Sequence, residues 1–187
     1  MEKLESEVGV GKILDVGCGC GNFLKAAAKR GWKVKGIDPS KDSVSHAREN
    51  LGDAVSECTL KTYPNEELYD AITMINVLEH TVDPWDNLIL ARKLLRDGGF
   101  IYLRFPNGNL HVSLLSIFEG TILDKWIKRS TVVHQYSFRR KFINRFISEM
   151  GFSEIKVKNA KLSENFVFSK WLPQSINSIT RRILWSV

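Results

Sequence analysis

Three glycines within five residues, set directly after a short apolar run, most constrain what this chain can fold into. The segment is Ile13-Leu14-Asp15-Val16-Gly17-Cys18-Gly19-Cys20-Gly21, and Asp38 follows 17 residues beyond Gly21. Such a run reads as a β-strand entering a tight turn that opens a helix, the first unit of an α/β fold with a parallel sheet. The downstream spacing agrees. Phe23, Leu24, Ala27 and Ala28 recur at helical intervals up to Gly31, which predicts a helix over about 20–30. Residues 33–37 predict a second strand. Ser40 is an N-cap for a helix through Val44, Ala47, Arg48 and Leu51 to Gly52, and 54–58 form a weak third strand. Residues 68–75 read as a buried fourth strand, 84–96 as a helix stopped at Gly98-Gly99, and 100–105 as a fifth strand ended by Pro106.

With 187 residues the chain fits one domain, divided by pattern into four parts. A cofactor-binding core spans 12–107, and a lid or substrate-side insertion with an apolar run (Leu114, Leu115, Ile117, Phe118) and Trp126 spans 108–137. Residues 138–171 hold a basic helix with Phe142, Ile143, Phe146 and Ile147 on one face, then a hairpin at the sheet edge; 172–187 form a basic amphipathic tail. No apolar run approaches the ~20 residues of a membrane span, and the acidic start lacks the pattern of a signal peptide. A cytoplasmic protein is expected, with the tail a candidate for peripheral membrane contact. Three cysteines, Cys18, Cys20 and Cys58, match no zinc or redox spacing and read as reduced thiols.

Charge is unevenly spread. Residues 1–100 carry 13 Lys and Arg against 16 Asp and Glu, a balance of −3, whereas 101–187 carry 14 against 5, a balance of +9. A basic second half suits an anionic partner, and it equally suits a solvated surface. The five tryptophans lack the aromatic-basic interleaving of nucleic-acid binders, so DNA and RNA are discounted.

Two nucleotide-type ligands compete for the glycine segment. A dinucleotide needs Gly-x-Gly-x-x-Gly so that backbone amides cradle its pyrophosphate, but the third glycine position is Asn22, and Asp15 would set a carboxylate beside the phosphates. S-adenosylmethionine has no phosphate and presents an ammonium and a sulfonium, which a strand-end carboxylate attracts. Charge complementarity favours the sulfonium cofactor over the nicotinamide one. On this reading Gly17, Gly19 and Gly21 let the backbone come close, Asp15 helps hold the amino end through water, and Asp38 accepts from the ribose diol.

The runs LDVGCGCGNFL, GIDPS, YDAITMINVLEHTVDP and LLRDGGFIYLRFPN resemble class I S-adenosylmethionine-dependent methyltransferases, above all their ubiquinone-biosynthesis-like and type 11/12 branch. The resemblance is strong over 12–107 and looser over 134–152. It implies a Rossmann-like three-layer sandwich around a seven-stranded, mostly parallel sheet of order 3-2-1-4-5-7-6 with an antiparallel last strand. It also implies a cofactor set of Asp15, Gly17, Cys18, Gly19, Gly21, Asp38, Pro39, Thr59, Leu60, Asn76 and Val77, with S-adenosylhomocysteine as product. Thr59 stands where relatives usually carry an acid for the adenine. Some resembling quinone O-methyltransferases bind a divalent metal through Glu, His and an acid three residues before the Glu. That place is Asn76 here, and no metal is expected.

A hydroxyl acceptor needs a base, and His134 and His80 are the candidates, with His111 behind them; for each, a helix-capping or loop-fixing histidine is the competing reading. The expected reaction is methyl transfer to a small-molecule acceptor, anionic or amphiphilic, on a hydroxyl of a sugar, lipid-linked or quinone-type intermediate. The alternative is a non-catalytic or partner-dependent cofactor-binding protein, suggested by a first strand beginning close to Met1 without the helical cap of its relatives. A homodimer is a further candidate assembly.

Overall fold

A computed structural model describes residues 2–64, 67–105, 136, 138 and 140–152. Five strands, β1 (Lys12–Val16), β2 (Lys33–Asp38), β3 (Val55–Glu57), β4 (Tyr69–Ile75) and β5 (Leu95–Arg104), form one sheet of order β3-β2-β1-β4-β5. Every neighbouring pair is parallel, so each return crosses a face of the sheet through a helix or loop, and both faces are covered. This is a Rossmann-like α/β fold, and the part of the expected order that falls on described residues, 3-2-1-4-5, is the observed one. The sixth and seventh strands, the hairpin, most of the 108–137 insertion and the 172–187 tail lie outside the described residues.

Side-chain alternation sorts the layers. On β1 and β4, Leu14, Val16, Ile72 and Met74 face one side, where they pack with Leu88, Ala91 and Leu94 of α4 (Pro84–Leu94) and with Ile143 and Ile147 of α5 (Arg140–Glu149). Ile13 and Ala71 face the other, against Leu4 of α1 (Glu2–Val8), Ala27 of α2 (Asn22–Lys29) and Trp32 just beyond α2. On the same side α3 (Lys41–Leu51) seats Val44 and Ala47 against Leu24 and Val55. The cap expected at Ser40 forms, its hydroxyl accepting from the Ser43 amide at 3.3 Å, and the structure adds a second at Asp83, which caps α4, whose first residue is Pro84.

Two local readings are corrected and one element is added. Residues 2–8, to which the sequence pattern assigns no element, fold as α1. Leu4 and Val8 lie one turn apart on its apolar side, and Glu5 pairs with Arg30 at the end of α2 while accepting from Trp32 Nε1 at 3.3 Å. The guanidinium holds the Glu5 carboxyl down at about 2. The helix expected over 84–96 stops at Leu94, because Leu95 turns extended to pair with Tyr69; an irregularity between Tyr69 and Ala71 then absorbs the residues before Phe100. In α5, Ile143 and Ile147 are buried as expected, but Phe142 is 54% exposed, its ring in an edge-type contact with Trp85 at 5.0 Å between centroids.

Candidate functional site

The strand order reverses between β1 and β4, and the loops at the carboxyl ends of these strands make the crevice in which open α/β sheets receive ligands. The glycine loop leaves β1 there. Its amides are committed to the chain itself: Gly17 and Cys18 donate to the Ile37 carbonyl at 2.7 and 3.0 Å, Gly21 donates to the Cys18 carbonyl, and Gly19 donates to Asp38 Oδ2 at 2.9 Å. These four bonds fix the shape of the loop from within the chain.

Its glycines answer to different neighbours. A Cβ at Gly17 would overlap Val77, and one at Gly21 would come within 2.6 Å of Leu51 on α3; both are packing requirements of the protein. Gly19 differs, for its left-handed backbone (φ +52) faces open space with no atom within 4 Å of where a Cβ would lie. Of the three, Gly19 is the one that leaves a cradle a side chain would fill. Gly36 on β2, with an ordinary backbone, is bare because Leu24 and Cys18 pack across it. Cys18 is consequently buried, and burial pushes its thiol up to about 12, leaving it an inert packing group.

Two carboxylates frame the loop. Asp38, at the end of β2, accepts from Gly19 through one oxygen and from the Ser40 amide through the other at 2.8 Å, which holds its side chain at the rim. Asp15 sits one layer down, 3% exposed, on the α1–α3 side of the sheet, and accepts from Thr73 Oγ1 at 2.5 Å. Burial, aided by the nearby Asp38 charge and opposed by the Thr73 bond, lifts its carboxyl to about 7. Pro39 is exposed next to Asp38. The chain returns at Cys58, whose amide donates to the Asp38 carbonyl at 3.2 Å, and this brings Thr59, exposed, and Leu60, buried, alongside. Across the crevice Asn76 and Val77 leave β4, and Val77 touches the glycine loop through Gly17. The eleven expected cofactor-site residues thus lie at the carboxyl ends of β1, β2, β3 and β4 or on the loops that follow them.

The histidines are less informative. His80 is exposed at the end of a 3-10 turn, Leu78–His80, with its amide donating to the Val77 carbonyl, while His134 and His111 lie outside the described residues. Among the described residues no three His, Cys, Asp or Glu gather in a metal-binding group.

The methyltransferase-domain family model matches residues 4–157. The chain belongs to this family. Its curated relatives include ubiquinone biosynthesis O-methyltransferases of Aliivibrio fischeri (28% identical over 150 residues, 76% of this chain and 64% of the relative). Another is that of Hydrogenovibrio crunogenus (32% identical over 129 residues, 65% of this chain and 54% of the relative). The chain therefore spans between about half and two thirds of the length of these proteins. Among solved structures, the plantazolicin methyltransferase BpumL, in complex with a triazolic desmethylPZN analog and SAH, has the same fold (TM-score 0.64, 19% identity, 80% of this chain and 59% of that one). So does the sugar N-methyltransferase KedS8 from Streptoalloteichus (TM-score 0.52, 17% identity, 57% of this chain and 45% of that one).

Within this methyltransferase-domain chain, three features of the crevice went unread in the sequence. Thr73, the partner of Asp15, is one polar residue in an apolar strand, and that break in pattern was the available signal. Asn76, though singled out, adopts a left-handed backbone (φ +56), the only described non-glycine to do so, a strained conformation of a kind that gathers at functional sites. Glu79 is buried with neither carboxylate oxygen hydrogen-bonded.

Proposed function

We propose that the chain binds S-adenosylmethionine in the crevice between β1 and β4 and catalyses methyl transfer to a hydroxyl of a small-molecule acceptor. The observation that carries the reading is the pair of carboxylates at the glycine loop: Asp38 lies at its rim, Asp15 below it, and space lies open at Gly19. That arrangement suits a nucleoside with a cationic amino-acid end and disfavours a pyrophosphate. The family match and the fold shared with an SAH complex support it.

In this site Asp38 would accept from the ribose hydroxyls with the lone pairs its two backbone bonds leave, and Thr59 and Leu60 would flank the adenine. Asp15 would attract the ammonium, with Gly19 giving close approach, and Asn76 and Val77 would bound the methyl-bearing end. When bound, the cofactor supplies an activated methyl group on a sulfonium. The chain's own contribution is to hold donor and acceptor in line and to exclude water, which can account for most of the catalysis in such a displacement. His134 and His80 are the proposed bases for the hydroxyl proton. The acceptor class, a hydroxyl on a quinone-type, sugar or lipid-linked intermediate, follows the names of the relatives and the basic second half of the chain.

Calorimetric titration with S-adenosylhomocysteine, and with NAD in parallel, tests the cofactor reading. Micromolar binding of the first and none of the second is expected; binding of NAD alone overturns it. A catechol bearing a prenyl chain and an aminosugar, incubated with methyl-labelled cofactor, then separate the oxygen and nitrogen acceptor classes.

A further inference from the structure

We infer that Asp15 and Thr73 form a proton-exchange pair beneath the glycine loop, so that a nucleoside ligand bringing an ammonium to the loop expels the Asp15 proton as it binds. The inference rests on the cofactor reading and deepens it by naming the ligand charge that the floor of the site recognises.

Among the described residues the geometry is that of a buried acid with one donor and no counter-ion. Asp15 on β1 and Thr73 on β4 are register partners, 3% and 0% exposed, and the Thr73 hydroxyl donates to the carboxylate. From β2 the nearby charge is Asp38, of the same sign; from the loop it is the Cys18 thiol, itself raised by burial and by Asp15. On the far side of Thr73, β5 presents Tyr102 as register partner. Among the described residues no basic side chain acts on Asp15. An ionised carboxylate here is stripped of water and faces another anion, so the proton stays on until about pH 7. An ammonium arriving at the loop reverses that balance: it favours the ionised form, the O–H bond of the Asp15 carboxyl breaks, and the proton leaves to solvent. Binding then competes with protonation. Affinity rises about tenfold per pH unit below 7 and levels above it.

The test is calorimetric titration of the full chain with S-adenosylhomocysteine at several pH values between 5.5 and 8.5, in two buffers of different ionisation enthalpy. Wild type is expected to bind about 30-fold more weakly at pH 5.5 than at 8.5 and to release about half a proton per ligand at pH 7. 5′-Methylthioadenosine, which keeps the nucleoside and lacks the amino-acid end, is expected to bind with no proton release. Thr73→Val removes a donor to the ionised form and shifts the midpoint of the profile to higher pH; Asp15→Asn flattens it. S-adenosylhomocysteine binding that is independent of pH and releases no proton overturns the inference and leaves the cofactor reading standing. Equal proton release with 5′-methylthioadenosine also overturns it, because the ammonium is then not the trigger. No binding of S-adenosylhomocysteine at any pH removes both.

Discussion

Asp15 carries its carboxyl where water scarcely reaches, and the ligand-free protein bears a cost for ionising it. Its unfolded value lies near 3.8 and its folded value near 7, so between these the native state holds the proton that the unfolded chain has lost. Stability from this group therefore falls as pH climbs from about 4 to about 7 and stays reduced above. Asp15→Asn keeps an acceptor for Thr73 without the charge. It is expected to raise the unfolding free energy at pH 8 by roughly 2–4 kcal/mol, with the gain vanishing toward pH 4 in urea titrations. Asp38 differs in that its oxygens are already hydrogen-bonded at the rim. Asp38→Ala removes the Gly19 and Ser40 partners together with the ribose acceptor, and should weaken S-adenosylhomocysteine binding by about 1–3 kcal/mol in the same calorimeter.

At the scale of elements, the strands and helices around the glycine loop were legible because their signals are local. A glycine run after Val16, Ser40 before a helix and Pro84 at the start of another each act within one turn of chain. What escaped depended on partners distant in sequence. Thr73 means little until register sets it against Asp15, and the shortened α4 reflects the claim of Tyr69 on Leu95. The α1 helix is too short to stand alone, and its apolar pair of Leu4 and Val8 becomes informative only with a sheet to pack on. Leu4→Ala tests how firmly it is seated: a buried leucine truncated to alanine should cost about 2–4 kcal/mol by chemical denaturation, and a loss under 0.5 would mean that α1 is frayed in solution.

Across the whole molecule, the parallel sheet sends both site carboxylates and the β4 turn to one edge, so binding there adds directly to the stability of the fold. At a concentration one hundred times its dissociation constant, S-adenosylhomocysteine should stabilise the chain by about 2.7 kcal/mol and raise the melting temperature by roughly 5–10 °C. Gly19→Val fills the open cradle with a branched side chain and should abolish that shift in thermal melts. The two halves of the chain also differ in sign. On the proposed reading the acidic first half would supply the carboxylates of the cofactor site, and the +9 of the second half would suit an acceptor that carries negative charge.

The bare backbone of Gly36 has an inheritance of its own. Leu24 and Cys18 rest on it, and Cys18 belongs to the loop that frames the cofactor crevice. A descendant that gained even a methyl group at 36 would have to surrender bulk at 18 or 24 in the same step, or lose the loop. These three positions are therefore expected to change hands together, and the thiol in the loop records the nakedness of a neighbouring strand.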